Sequence, residues 1–207
     1  MVSRRDVLKI GFLIVPLVYA PELAQAQDSP AGVVQTFSNA LLAAMQAGRA
    51  GFTQRFAMLA PAVDRAFDLD TILQSSVGLQ WASTQPAQQS ALRAAFRRYT
   101  IASFASNFDS YAGQSFQVNP EPRSLPNGDQ IVTSKIMKAG GGSNTLAYVM
   151  RRQPSGWKIV DVLADGSISR VATQRSDFRS LLSSGGATAL VASLQNKTAN
   201  MSGNAPV

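Results

Sequence analysis

The sequence predicts an α+β fold in which a curled antiparallel four-stranded sheet packs against several helices. Three observations lead to this prediction. Apolar residues recur at helical spacing as far as Gly113, they alternate with polar residues from there to Leu163, and helical spacing then returns. The connections between the alternating stretches are short, which favours an antiparallel meander. Helices, a meander and further helices in that order are typical of one α+β domain.

The composition limits the chemistry of the chain. Its 207 residues suffice for one domain, and 45% of them are hydrophobic, which is enough for a core. The chain contains no histidine and no cysteine. Ser-His-Asp and Cys-His catalysis, zinc sites built on thiolate or imidazole, and disulfides are therefore excluded. General acid–base catalysis would depend on carboxylates, lysine or tyrosine.

Residues 1–26 have the features of an export signal rather than of a folded segment. A basic start with Arg4 and Arg5 precedes an apolar stretch over 10–20, and the small residues Ala24 and Ala26 frame a cleavage site. The segment 3–9 approximates the twin-arginine export signature, with Val7 where phenylalanine is usual. An ordinary secretory signal that carries two arginines is the alternative. Either route predicts cleavage after Ala26 and a periplasmic protein.

The net charge is positive before and after this cleavage. The formal charge of the whole chain is +7, and the signal removes three basic and two acidic residues, leaving +6. A basic surface suits an anionic membrane or an acidic partner, and it suits general solubility equally well. Nucleic acid is not an expected partner of an exported protein.

The first two helices are predicted from their end signals. Ser29 is a typical N-cap residue before Pro30, and apolar residues then follow at helical spacing until Gly48. A second amphipathic stretch begins at Phe52. Pro61 should break that stretch and leave a further short turn after it.

Two more helices are predicted before the sheet. Asp68 should cap a short helix that ends at Gly78, and a long amphipathic helix should follow Pro86 and end at Gly113. This long helix is the most aromatic part of the chain. Its stripe fits ordinary core packing or the wall of a cavity, and it comprises Phe96, Tyr99, Phe104, Phe108 and Tyr111.

The sheet is predicted to be apolar on both faces. The strand candidates are 115–120, 130–138, 144–153 and 157–163. A loop over 153–156 places Arg152 opposite Trp157 and Met150 opposite Ile159. Helices must then cover both faces, or one face must be left to an apolar ligand. On this register one face holds Leu146, Tyr148, Met150, Trp157, Ile159 and Leu163, and the other holds Ala147, Val149, Val160 and Val162.

The C-terminal part is predicted to be helical and then disordered. A helix should start at Ser176-Asp177, and Gly185-Gly186 should separate it from a last amphipathic piece. The folded domain is expected to span 27–197. The tail over 198–207 has few large apolar residues and is expected to be disordered.

Three segments together resemble the toluene-tolerance/MlaC family. They are FDLD at 67–70 followed by Gly78 and Trp81, the aromatic helix leading to YAG at 111–113, and WKIVDV at 157–162 followed by GSIS at 166–169, Arg175 and Phe178. The resemblance extends over about 33–195. It implies a periplasmic carrier of phospholipid between the inner and outer membranes, and the family includes HpnM, a hopanoid-associated branch.

The resemblance implies a lipid, an inner-membrane ABC-transporter complex and an outer-membrane lipoprotein complex as partners, without a cofactor or a metal. The lipid, phospholipid or of hopanoid type, would occupy an apolar cavity between sheet and helices. Tyr111 and Tyr148 would suit the wet entrance. Each candidate wall residue could equally be ordinary core, and the candidates are Phe104, Phe108, Tyr111, Ile131, Leu146, Tyr148, Met150, Trp157 and Ile159. The cations that could face a head group, or simply solvent, are Lys135, Arg151, Arg152, Arg170 and Arg175.

Two other functions fit the residues. The first is an enzyme on a cone-shaped fold of ketosteroid-isomerase type, with Asp161 as a base near Tyr148 and a hydrophobic substrate. In that position Asp161 could equally bond a helix N-terminus or an arginine. The second is a ligand-free periplasmic adaptor, which would have a packed interior and a large exposed apolar patch.

Overall fold

The computed structural model describes residues 29–47 and 51–207. The predicted export signal and the helix stop at Gly48 lie outside the described residues. Within these ranges no helix combines the length and the apolarity that crossing a membrane requires. The helices are α1 (Pro30–Gln46), α2 (Phe52–Ala66), α3 (Leu69–Val77), a 3₁₀ helix (Gly78–Ser83), α4 (Pro86–Asn107) and α5 (Arg170–Ser202). The strands are β1 (Ser115–Val118), β2 (Arg123–Ser124), β3 (Gln130–Met137), β4 (Ser143–Gln153), β5 (Gly156–Ala164) and β6 (Ile168–Ser169).

The sheet is an open antiparallel meander, which confirms the predicted α+β class. Its strand order is β1-β3-β4-β5-β6, and β2 pairs with the start of β3. The four predicted strands are all present. The sheet has six strands because β2 and β6 add two residues each, and strands this short carry too little alternation to be read from sequence.

The predicted pairing around the β4–β5 turn is confirmed. Arg152 pairs with Trp157 and Met150 pairs with Ile159. The short loop between them fixes this register, as short hairpin connections do.

A β-bulge at Val160 changes the pairing beyond that point. Val160 has no partner in β4, so the register shifts and Val162 pairs with Tyr148. Val162 therefore shares a face with Tyr148, and Leu163 lies on the other face. The predicted faces of Val162 and Leu163 were wrong, because one extra residue in a strand exchanges the faces of all residues after it.

Two helix boundaries differ from the prediction before the sheet. Helix α2 continues through Pro61 to Ala66, because buried residues on both sides of Pro61, among them Leu59 and Val63, hold this face of the helix in the core. Helix α4 ends at Asn107 rather than Gly113, and Phe108 leaves the helical conformation with φ −118° and ψ 54°. The segment 108–114 is therefore a connection that leads into β1.

The last helix is longer at both ends than predicted. It begins at Arg170 rather than Ser176, since the Ser169 hydroxyl accepts a hydrogen bond from the Ala172 amide at 2.9 Å. It continues to Ser202, which is buried, so the predicted disorder from residue 198 was wrong for this part of the tail. The predicted break at the glycine pair is present as a kink, with φ 61° and ψ −158° at Gly186.

Asp68 joins the helices to the sheet. Its carboxylate accepts hydrogen bonds from the Thr71 amide at 2.9 Å, which confirms the predicted cap of α3, and from the Gln153 side chain at 2.8 Å. Its own amide donates to the Ile159 carbonyl at 2.9 Å. The turn between α2 and α3 is thereby bound to β5.

An aromatic cluster forms the centre of the core. The rings of Phe37 and Phe67 meet edge to face with centroids 5.0 Å apart, and Phe104 lies 5.0 Å from Phe37 and 5.5 Å from Phe67. Such pairs contribute about 0.5–1.5 kcal/mol each beyond their buried area. The cluster fixes α1 and α4 on the turn between α2 and α3.

An ion pair between a buried aspartate and a partly exposed arginine stabilises the β2–β3 region in a pH-dependent way. Asp129 is buried and accepts two hydrogen bonds from the Arg151 guanidinium, at 2.9 and 2.7 Å, which hold the pKa of this carboxyl below its ordinary value. Its stabilisation is present above the unfolded pKa of about 3.9 and is lost as the pH falls from there through the lowered value. Asp129→Asn should lower the free energy of unfolding at pH 7 by about 1–3 kcal/mol. In urea titrations of both proteins from pH 7 to pH 2.5, this difference should shrink, and a constant difference would contradict the role of the charge.

Candidate functional site

A cavity of about 340 Å³ lies between the sheet and the helices. The cavity thus has the predicted location. Strands β3, β4 and β5 form one wall, and α1, α3, α4 and the first turns of α5 form the others. Its apolar lining consists of Leu41, Phe67, Leu69, Ile72, Phe96, Tyr99, Phe104, Phe108, Ile136, Leu146, Tyr148, Val162, Ala164 and Val171.

Alternate residues of β4 run from the opening of the cavity to its interior. Asn144 is exposed, Leu146 is half-buried and Tyr148 is 1% exposed, and all three line the cavity. Alternate residues lie on the same face of a strand and are about 6.6 Å apart. Ala164 pairs with Leu146, and Val162 pairs with Tyr148. The bulge in β5 therefore places Val162 and Ala164 on the same face of the sheet as Leu146 and Tyr148, in the wall of the cavity.

The opposite wall is one face of α4. Phe96, Tyr99, Phe104 and Asn107 line the cavity at helical spacing. Phe104 also belongs to the aromatic cluster with Phe37, so this wall is continuous with the core.

One end of the cavity is polar. The exposed lining residues are Asn107, Asn144 and Arg170, which lie at the end of α4, at the start of β4 and at the start of α5. Gln174 lies one turn further along α5 and is half-buried. Because these residues are the exposed part of the lining, they mark the mouth, and Arg170 places a positive charge there.

Two ionisable side chains, Tyr148 and Asp161, line the inner part of the cavity. Burial raises the pKa of Tyr148, so its hydroxyl is neutral at physiological pH. Asp161 also lines the cavity, but its carboxylate accepts hydrogen bonds from the Ser169 hydroxyl and from the amides of Val171 at 3.1 Å and Val162 at 2.8 Å. These bonds attach β5 to the first turn of α5, which is a structural role.

Comparison with known proteins identifies the family. The family model described as MlaC protein matches residues 35–196. The chain belongs to the MlaC family. A solved structure with the same fold is that of a phospholipid-binding protein from Ralstonia solanacearum in complex with a phospholipid. It is 21% identical to this chain, with a TM-score of 0.72, and the match covers 84% of this chain and 98% of that one.

The residues that carry the resemblance to the MlaC family have mainly structural contacts. Asp68 caps α3 and holds β5, and Asp161 holds the start of α5. Arg175 donates two hydrogen bonds, at 2.8 and 2.6 Å, to the Ser75 carbonyl near the end of α3. Phe178 packs edge to face on Phe96. These contacts join the helices to the sheet around the cavity.

Four of the nine predicted wall residues line the cavity. They are Phe104, Phe108, Leu146 and Tyr148. Tyr148 lies in the buried interior rather than at the entrance. It is four residues along β4 from the exposed Asn144, on the same face of the strand.

The other five predicted wall residues lie elsewhere. Tyr111 is 47% exposed on the connection after α4. Ile131 pairs with Val149 and so lies on the sheet face away from Tyr148. The last three lie on the cavity face of the strands but beyond the cavity, where Met150 and Ile159 are buried in the core and Trp157 stacks with Arg152 at 5.6 Å.

Of the five predicted head-group cations, Arg170 alone lines the cavity. Arg151 pairs with Asp129, Arg152 lies over Trp157, and Arg175 binds a carbonyl in α3. Lys135 is exposed on β3.

Several lining residues were not predicted. Val162 and Ala164 were missed because the prediction assumed that side chains alternate regularly along β5, and the bulge interrupts this alternation. Val171 and Gln174 were missed because α5 begins at Arg170, before the first residue of the apolar pattern from which its start was predicted. The signal that could have found this start was Ser169, a typical N-cap residue.

Proposed function

We propose that this protein is a phospholipid-binding carrier that holds acyl chains in the cavity and leaves the head group at the mouth. The observation that carries the proposal is the shape and chemistry of the cavity, an apolar interior with polar residues at one end. The phospholipid bound to the Ralstonia solanacearum protein of the same fold supports it.

The energetics favour such an arrangement. Each methylene removed from water contributes about 0.8 kcal/mol, so acyl chains partition strongly into an apolar enclosure. The cavity volume of about 340 Å³ lies within the range of about 300–1,000 Å³ that ligand sites occupy. The phosphate can remain hydrated beside Arg170, where a guanidinium can hydrogen-bond its oxygens.

The carrier would work in the periplasm. The export signal predicted over 1–26 supports this location, and family membership supports a shuttle between an inner-membrane ABC-transporter complex and an outer-membrane lipoprotein complex. Glycerophospholipid is the first cargo that we propose, because the solved protein of this fold holds a phospholipid. A hopanoid-type lipid is the alternative cargo, since the apolar walls would accept either.

The carrier function fits the site better than the two alternatives. An enzyme would need a general base, and the carboxylate of Asp161 is already bonded by three donors. A ligand-free adaptor would need a packed interior, whereas this interior contains a cavity. We therefore propose a carrier without catalytic activity.

Native mass spectrometry of the mature protein, purified without detergent, tests the proposal. A stoichiometric mass increase should be present, and organic extraction should identify it as phospholipid. Protein stripped of lipid by organic solvent and refolded should regain the same increase after incubation with phospholipid vesicles. A mass of protein alone in both preparations would contradict the carrier function.

A further inference from the structure

Three connections meet at the mouth of the cavity. The segment 108–114 joins α4 to β1, the turn 138–142 joins β3 to β4, and the turn 165–167 joins β5 to β6. The pairing of Ser115 with Met137 and of Leu146 with Ala164 places all three at the same end of the sheet. A methyl group built on Gly113 would lie 2.9 Å from the Ala139 side chain, so the first two connections touch. We call these connections, together with Ile168, the rim.

The rim continues the apolar wall of the cavity onto the surface. Leu146 pairs with Ala164, and Ala164 pairs with Ile168, so the three side chains form one row across the sheet face. The first two line the cavity, and Ile168 is 56% exposed at the outer end of the row. An exposed isoleucine in direct continuation of a lipid-binding wall is the observation that carries this inference.

The rest of the rim could lie close against another surface. Tyr111 adds a second exposed apolar side chain, an aromatic ring with a hydroxyl, which is the kind enriched at membrane–water interfaces. The turn after Lys138 consists of an alanine and three glycines, so few side chains keep a surface away from it. The three connections carry Lys138 against Asp109 and Asp165, and the nearby Arg170 at the start of α5 brings the sum of these charges to zero.

We infer that the rim docks directly on the surface of a lipid bilayer, with Ile168 and Tyr111 inserted into the interface. This inference rests on the proposed carrier function. It follows from the continuity of the wall, because a chain that leaves the bilayer along Ile168 stays on apolar surface until it reaches Leu146. Since the rim and the neighbouring Arg170 together carry no net charge, the attraction is apolar, and docking does not require anionic lipid.

The test measures how fast the lipid-free protein takes up a fluorescent phospholipid from phosphatidylcholine vesicles. If the protein docks, the uptake rate rises in proportion to the vesicle concentration and changes little between 50 and 500 mM salt. Ile168→Asp should lower the rate about tenfold, because it removes one inserted side chain and adds a charge at the interface. Leu79→Asp is the matched control, since Leu79 is 99% exposed outside the rim, and its rate should equal that of the wild type.

The outcomes separate this inference from the carrier function. Ile168→Asp protein that still binds lipid stoichiometrically but takes it up slowly supports docking by the rim. An uptake rate that does not depend on vesicle concentration, or that is equal in both variants, overturns it and assigns the exposed rim to a protein partner. Failure of the wild type to bind any lipid would instead overturn the carrier function itself.

Discussion

Leu146→Glu should reduce lipid retention by roughly a hundredfold while the protein remains folded. Leu146 lies on β4 between the exposed Asn144 and the buried Tyr148, on the wall of the cavity. A carboxylate there would have to lose its hydration when an acyl chain enters, and nothing apolar could compensate for that loss. Residue 146 is only half-buried, so the glutamate can turn to the mouth in the lipid-free protein and the fold should tolerate it.

Retention is measured by native mass spectrometry and folding by circular dichroism and urea unfolding. Leu79→Glu makes the same change at a side chain that is 99% exposed, and it should retain lipid like the wild type. Leu146→Met keeps the wall apolar and should also retain lipid. Folded Leu146→Glu protein that carries lipid at the wild-type level would remove Leu146 from the binding site.

Asp161→Ala should lower the free energy of unfolding by about 2–4 kcal/mol. The substitution leaves the amide of Val171 and the Ser169 hydroxyl without their acceptor, and it releases the first turn of α5 from β5. That turn supplies Arg170, Val171 and Gln174 to the cavity, so lipid retention should fall as well. Equilibrium urea denaturation measures the first effect, and native mass spectrometry measures the second.

Asp161→Asn separates the structural role from a catalytic one. The amide oxygen can still accept the hydrogen bonds of the Val162 and Val171 amides, and the amide nitrogen can donate to the Ser169 hydroxyl in place of the bond that the carboxylate accepted. Much of the stability should therefore return, although a general base would remain absent. Lipid retention that recovers with stability supports the structural role. An unfolding free energy of Asp161→Ala within about 0.5 kcal/mol of the wild type would contradict it.

The fold class and most element boundaries follow from local patterns in the sequence. Ser29 and Asp68 are caps as predicted, and the short β4–β5 loop gives the correct pairing of Met150 with Ile159. Each of these features depends on a few neighbouring residues, which is why the sequence reveals it. The bulge at Val160 and the passage of α2 through Pro61 depend on tertiary packing, and no local signal marks them.

The position of the cavity along the sheet is also a tertiary property. Alternation assigns Leu146, Tyr148 and Met150 to one face but does not say where a cavity ends. It ends because Phe67 forms a bridge to Ile159 and brings the aromatic cluster onto the sheet. Residues on the same face beyond this bridge are core, which explains why Met150, Ile159 and Trp157 were wrongly expected in the wall.

Phe104 belongs to both the cavity wall and the aromatic cluster, so the cargo and the core share one boundary. Unfolding eliminates internal voids, and the volume of the system falls accordingly. Lipid in the cavity fills the same space, and the loaded protein would then be denser and less compressible than the lipid-free protein. On this view the cargo completes the packing of its carrier, and handing it over leaves a molecule that hydrostatic pressure unfolds more easily.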